Sequence, residues 1–177
     1  QESRGLGDVY KRQTPVSLAQ GELRDRIAHG RKWVVSPPFG FPARYSHTAQ
    51  MYKGKFYFFC GLDSSGNPFN SINIYDPLSN NYGTIMGPST TSRGRPRSCV
   101  FEEKIFIIGG NLGGYGWSDI GTSTVEIFDP QTDVLSFGPN LDVPRGGPGI
   151  TTDGDAIYAF GGMDGSGVAT NTLSMYS

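Results

Sequence analysis

Three stretches of the chain repeat one order of apolar and polar positions. Arg44 leads to Phe56-Tyr57-Phe58-Phe59-Cys60-Gly61, Arg93 to Ile105-Phe106-Ile107-Ile108-Gly109-Gly110, and Arg145 to Ile157-Tyr158-Ala159-Phe160-Gly161-Gly162. Each time the last glycine falls 17 residues after the arginine. Further on, Ile72-Asn73-Ile74-Tyr75-Asp76-Pro77, Val125-Glu126-Ile127-Phe128-Asp129-Pro130 and Leu173-Ser174-Met175-Tyr176-Ser177 alternate apolar with other residues up to an aromatic one. Alternation of period two marks a strand with one covered face, whereas a short unbroken apolar run closed by glycine fits a strand covered on both.

Turn residues divide each unit into four predicted strands joined as an antiparallel meander. The inner strand covers 46–52, 95–101 and 147–152, and tight turns at Lys53-Gly54, Glu102-Glu103 and Asp153-Gly154 lead into the apolar second strand. Aspartate and proline stop the third strand, since proline gives no N–H to a ladder and aspartate closes a local turn. An outer strand should begin near Tyr82 and Leu135, and Trp33 stands in the same column 49 residues before Tyr82. It predicts one spare outer strand. Residues 1–13 match nothing in the repeats and read as a non-native leader. Residues 14–32 read as irregular or briefly helical through Leu18, Leu23 and Ile27, with Gly21 interrupting. The repeats occupy 33–177, with units near 44–92, 93–144 and 145–177.

The recurring arginine, the glycine pair after an apolar strand, Tyr75-Asp76-Pro77 and the aromatic six residues beyond the aspartate resemble the kelch repeat, whose period is about 50 residues. The first copy resembles it most, with Arg44-Tyr45-Ser46-His47-Thr48-Ala49 ahead of its second strand. Cys60 departs from the glycine pair, Pro96 and Pro148 stand in the column of His47, and Leu135 replaces the outer aromatic. The resemblance implies an all-β fold: a partial β-propeller of about three four-stranded antiparallel blades plus the spare strand. Closed propellers usually have about four to eight blades, so the expectation is a part of a longer protein or, alternatively, a homodimer closing a six-bladed ring. In that ring the strand around Trp33 would complete the blade that contains Ser177.

A net charge of −1 over 177 residues favours neither a nucleic acid nor an acidic or basic surface as partner. No apolar stretch approaches the roughly 18 residues of a membrane span. A soluble chain is expected, with a cytoplasmic location favoured. Two cysteines, Cys60 and Cys99, do not make a disulfide framework and read as buried thiols.

The alternating connections of a four-stranded meander bring loops 62–70, 111–123 and 163–171, and 37–43, 87–92 and 138–144, to one face. The resemblance implies that this face binds partners, another protein foremost. Candidate contact residues are Tyr115, Trp117 and Asp119 in the longest loop, since aromatic groups on adaptable loops anchor interfaces. Asp63 and Asp164 are candidates in the shorter loops, although they read first as turn formers. Arg44, Arg93 and Arg145 could face one opening and hold a carboxylate or phosphate; repetition in one column equally suits arginines that hold each blade together. The function expected is a binding scaffold. The alternative is part of a propeller enzyme, such as a galactose-oxidase-like oxidase or a sugar-active enzyme. No catalytic residue, metal ligand or cofactor is assigned: the two histidines, His29 and His47, are too few for a copper or zinc site, and the common hydrolase and nucleotide motifs do not occur.

Overall fold

The computed structural model describes residues 40–85, 90–112 and 120–177, all within one compact unit, Phe39–Ser177. The expectations for residues 1–13, for 14–32 and for the strand at Trp33 lie outside the described residues. Within them the fold is all β. Strands β1 (Thr48–Tyr52), β2 (Lys55–Phe59), β3 (Ile72–Asp76) and β4 (Asn81–Thr84) form a sheet in that order. A second sheet repeats it with β5 (Arg97–Phe101), β6 (Lys104–Ile108), β7 (Val125–Asp129) and β8 (Val134–Phe137). The third has β9 (Gly149–Thr152), β10 (Ile157–Phe160) and β11 (Leu173–Tyr176). Every pairing is antiparallel, and β5 touches β1 on one side and β9 on the other, so three meander blades sit side by side along their inner strands.

Each inner strand begins two residues later than the sequence pattern suggests, for a backbone reason. Ser46, Arg95 and Gly147 occupy one column and all take a left-handed φ, of 54°, 52° and 62°. A residue there cannot join an extended strand. The hairpins that follow differ among themselves. Lys53 with Gly54, and Glu102 with Glu103, make two-residue turns with positive φ at both positions, which match the twist of the flanking strands. In the third blade the ladder ends one pair earlier, at Thr152 opposite Ile157, because the Asp153 carboxylate accepts the amides of Asp155 and Ala156 at 3.0 and 2.9 Å.

The cores lie between blades. Tyr57, Phe59 and Ile72 of the first blade pack on Ile105, Ile107 and Phe128 of the second. Phe106, Ile108 and Val125 on the second blade's other face pack on Ile157 of the third. Each such buried side chain contributes about 1.5–3 kcal/mol through loss of contact with water. The expectation that the second strand is covered on both faces holds fully for β6, buried from Ile105 to Ile108. It holds in part for β2 and fails at the end of β10, where Phe160 is exposed.

Candidate functional site

The loop end of the blades is built on backbone hydrogen bonds that cross from blade to blade. Gly61 donates to the carbonyl of Arg93 at 3.1 Å and Arg95 to that of Ser46 at 2.8 Å. Between the second and third blades, Gly110 donates to Arg145 at 2.8 Å, Arg145 to Thr122 at 3.0 Å, and Gly121 to Asp164 at 2.8 Å. Such approach leaves no room for a side chain: a Cβ on Gly109 would come 2.4 Å from the Arg145 carbonyl, and one on Gly110 2.8 Å from that of Gly94. Both glycines have positive φ. Cys60 takes the place of Gly109 in the first blade, also at positive φ, and its Sγ turns to the Thr90 hydroxyl at 3.3 Å.

The arginine column is buried into the blades. Arg93 and Arg145 have no exposed surface, and Arg44 is half-buried. Each ties the second strand to the third within its own blade, but with a different partner in one column. Arg44 donates to the Cys60 carbonyl at 3.1 Å and to Asn73 Oδ1 at 2.5 Å, and its guanidinium lies 4.4 Å from the centre of the Phe69 ring. Arg93 donates to the Ile107 carbonyl at 3.2 Å and forms an ion pair of 2.8 Å with Glu126, whose other oxygen accepts the Thr91 amide at 2.8 Å. Arg145 donates to the Gly161 and Thr172 carbonyls at 2.9 and 3.0 Å and to the Ser174 hydroxyl at 2.8 Å. The partner column Asn73, Glu126, Ser174 was not singled out from the sequence, although its fixed position in the third strand carried the signal.

Asp63 and Asp164 build the same loop twice. Asp63 Oδ1 accepts the amides of Ser65 and Asn67, both at 2.8 Å, and Asp164 Oδ1 those of Ser166 and Val168 at 2.7 and 2.9 Å. The Asn67 side chain adds a bond to Asp63, and these donors hold both carboxyls below the usual carboxylate range. Tyr115, Trp117 and Asp119 lie outside the described residues. The exposed apolar groups at this end are Tyr45 (52%), Leu112, Ile120 and Val168 (60%), none of them marked by the sequence pattern.

Burial holds both thiols up, Cys99 to about 11, and both are free. His47 lies against Phe58 with ring centres 6.0 Å apart; burial first, then the charge of Arg44, lowers its basicity. Among the described residues no three histidine, cysteine or acidic side chains come together as a metal site, and no helix is long and apolar enough to cross a membrane.

Meander blades set side by side by their inner strands, and locked at one end by glycine-mediated backbone contacts, define a β-propeller architecture. Residues 92–141 and 144–177 match the family model described as the Kelch motif, and the chain belongs to the kelch-repeat proteins. It is 32% identical over 143 residues to a Kelch domain-containing protein of Archaeoglobus fulgidus, covering 78% of this chain and 38% of that protein. To alpha-scruin of Limulus polyphemus it is 27% identical over 179 residues, covering 89% of this chain and 19% of that protein. The chain thus spans well under half the length of these relatives. A solved structure titled "Structure of YjhT" superposes with a TM-score of 0.67 at 18% identity, over 82% of this chain and 54% of that one, a likeness of fold.

Proposed function

We propose that the chain serves as a protein-binding scaffold, contacting its partner through the face formed by the loops between second and third strands and between successive blades. The observation that carries this is the placement of exposed Tyr45, Leu112, Ile120 and Val168 on a base braced by interblade backbone bonds. Apolar anchors on a braced frame lose little entropy on docking. Asp63 and Asp164 support it by fixing the two short loops from within, and Tyr115, Trp117 and Asp119 supply further contact groups in the longest loop. Arg93 and Arg145 serve it as braces, with their guanidinium groups consumed inside the blades.

The test compares two sets of variants with unchanged β-sheet circular dichroism: Tyr45→Ser with Val168→Asp on the loop face, and Leu78→Asp on the outer rim. Protein partners captured by the unmodified chain should be lost with the first set and kept with the second. Equal capture by both, or equal loss, overturns the assignment to this face.

A further inference from the structure

Phe137, in the outer strand β8 of the second blade, is 76% exposed, more than any other large apolar side chain among the described residues; Val134 in the same strand is 55% exposed. This exposure does not come from a missing neighbour, because the second blade packs against the first on one face and the third on the other. It belongs to the rim. The outer strand of the first blade meets water differently: Asn81 stands in the column of Val134, and Thr84 in that of Phe137. One rim is polar where the other is apolar. Val134-Leu135-Ser136-Phe137 also lacks the charges and proline by which edge strands usually resist pairing with another chain.

The backbone fixes which groups this edge offers. Gly138 donates to the Val125 carbonyl at 2.9 Å, across β7 and β8. In an antiparallel ladder successive residues turn their N–H and C=O to opposite sides. Val134 and Ser136 therefore bond to β7, while Leu135 and Phe137 direct theirs outward, where no strand lies among the described residues.

We propose that β8 pairs antiparallel with β8 of a second copy of this chain, about a two-fold axis at Ser136, joining two rims into one continuous sheet. The register follows by elimination, since outward residues must meet outward residues. Leu135 opposite its own counterpart would set Phe137 against Asp133, whose φ of 56° takes it out of an extended strand. Phe137 opposite its own counterpart would set Leu135 against Pro139, which has no N–H to give. Leu135 opposite Phe137 leaves both residues bonded on both chains. This register matches itself in side chains too, as a two-fold contact must. Leu135 and Phe137 share one face, so each Phe137 ring covers the partner's Leu135. On the other face Ser136 meets its counterpart, and Val134 lies opposite glycine 138, which has no side chain to obstruct it. No charged group in the strand opposes another. The strand thus satisfies its own edge, which singles out a second copy over a strand of another protein. The contact uses the rim and leaves the loop face free, so it is independent of the binding role proposed above.

Four residues on each side make a small contact, so the association is weak and reversible. The experiment is sedimentation equilibrium of the full chain from about 10 μM to about 1 mM, the range in which weak contacts form. The mass should climb from 19.1 kDa towards twice that value. Phe137→Ser should raise the dissociation constant about tenfold to a hundredfold, the value of burying one such side chain, with circular dichroism unchanged because the ring is already exposed in the single chain. Under mild oxidation Ser136→Cys should give a disulfide-linked dimer, since facing residues of a non-hydrogen-bonded pair bring their Cα atoms to about 4.5 Å, within disulfide reach. Gly83→Cys, in the same column of the first blade and with open space around the new side chain, should not. Cys60 and Cys99 are buried and do not compete. A single mass throughout would overturn self-pairing and give the edge to a strand of another protein. Association indifferent to Phe137→Ser, or equal linking of the two cysteine variants, would overturn it as well.

Discussion

The second and third blades carry the same pattern in different surroundings. Ile108 and Phe160 end the second strand of each in one column, yet Ile108 is 3% exposed and Phe160 53%. Val125 and Leu173 open the third strand, at 6% and 60%. The second blade has a neighbour on both sides, whereas the third has a described neighbour on one. In an array of repeats, then, the burial of a residue belongs as much to the adjoining blade as to its own sequence.

The sharpest break of that comparison is at the glycine joint. Gly109→Val should cost more than about 4 kcal/mol, since the branched side chain meets the Arg145 carbonyl and the backbone keeps positive φ. Gly54→Ala, with positive φ but nothing within 4 Å of the new Cβ, should cost about 1 kcal/mol. Similar urea midpoints for the two variants would count against a packed joint. Next comes the arginine partner column. Glu126→Ala strands a fully buried guanidinium and should cost about 3–5 kcal/mol. Ser174→Ala, which removes a neutral hydroxyl near the surface, should cost about 1 kcal/mol. Equal losses in thermal unfolding would mean that the Arg93–Glu126 pair is not sealed from water.

Core truncation should follow the same asymmetry. Ile108→Ala should lose about 2–5 kcal/mol, and Phe160→Ala under about 1 kcal/mol when the chain is dilute. If the flanks of two copies pair, the Phe160 penalty grows with protein concentration while that of Ile108 does not. The smallest effect is one of pH. Asp63 and Asp164 have folded-state carboxyls held below their unfolded values, so their contribution is present above about pH 4 and is lost as pH falls through the folded values. Amide exchange at Ser65, Asn67, Ser166 and Val168 should quicken first in acid, ahead of exchange in β6. Simultaneous loss of both would tie the loops to the blades as one unit.

Repeat length and strand order were legible because they rest on spacing: the alternation in Val125–Asp129 and the glycine pair at 109–110 survive any reading of the side chains, whereas the tight turn expected at Asp153-Gly154 gave way to a four-residue connection between Thr152 and Ile157. The start of each inner strand was not, because nothing in Ser46 or Arg95 as residue types announces a left-handed backbone. The arginine column showed its recurrence but not its direction. Whether a guanidinium faces a channel or turns into its blade depends on a partner 29 to 33 residues on, and Asn73, Glu126 and Ser174 share a position without sharing a chemistry. The exposed apolar groups at the loop end were hidden for the opposite reason: Val168 and Ile120 are ordinary residues whose meaning lies wholly in what fails to cover them.

The bonds from Gly61 to Arg93 and from Gly110 to Arg145 also give the assembly a mechanical direction. They run along one end of each joint, like the spine of a book, whereas at the hairpin end of the first joint the blades meet through the exposed Lys53–Glu103 pair at 2.9 Å and the Tyr52 hydroxyl. Pages bound on one edge swing most at the other. Turning one blade against the next should therefore open the hairpin end before the loop end.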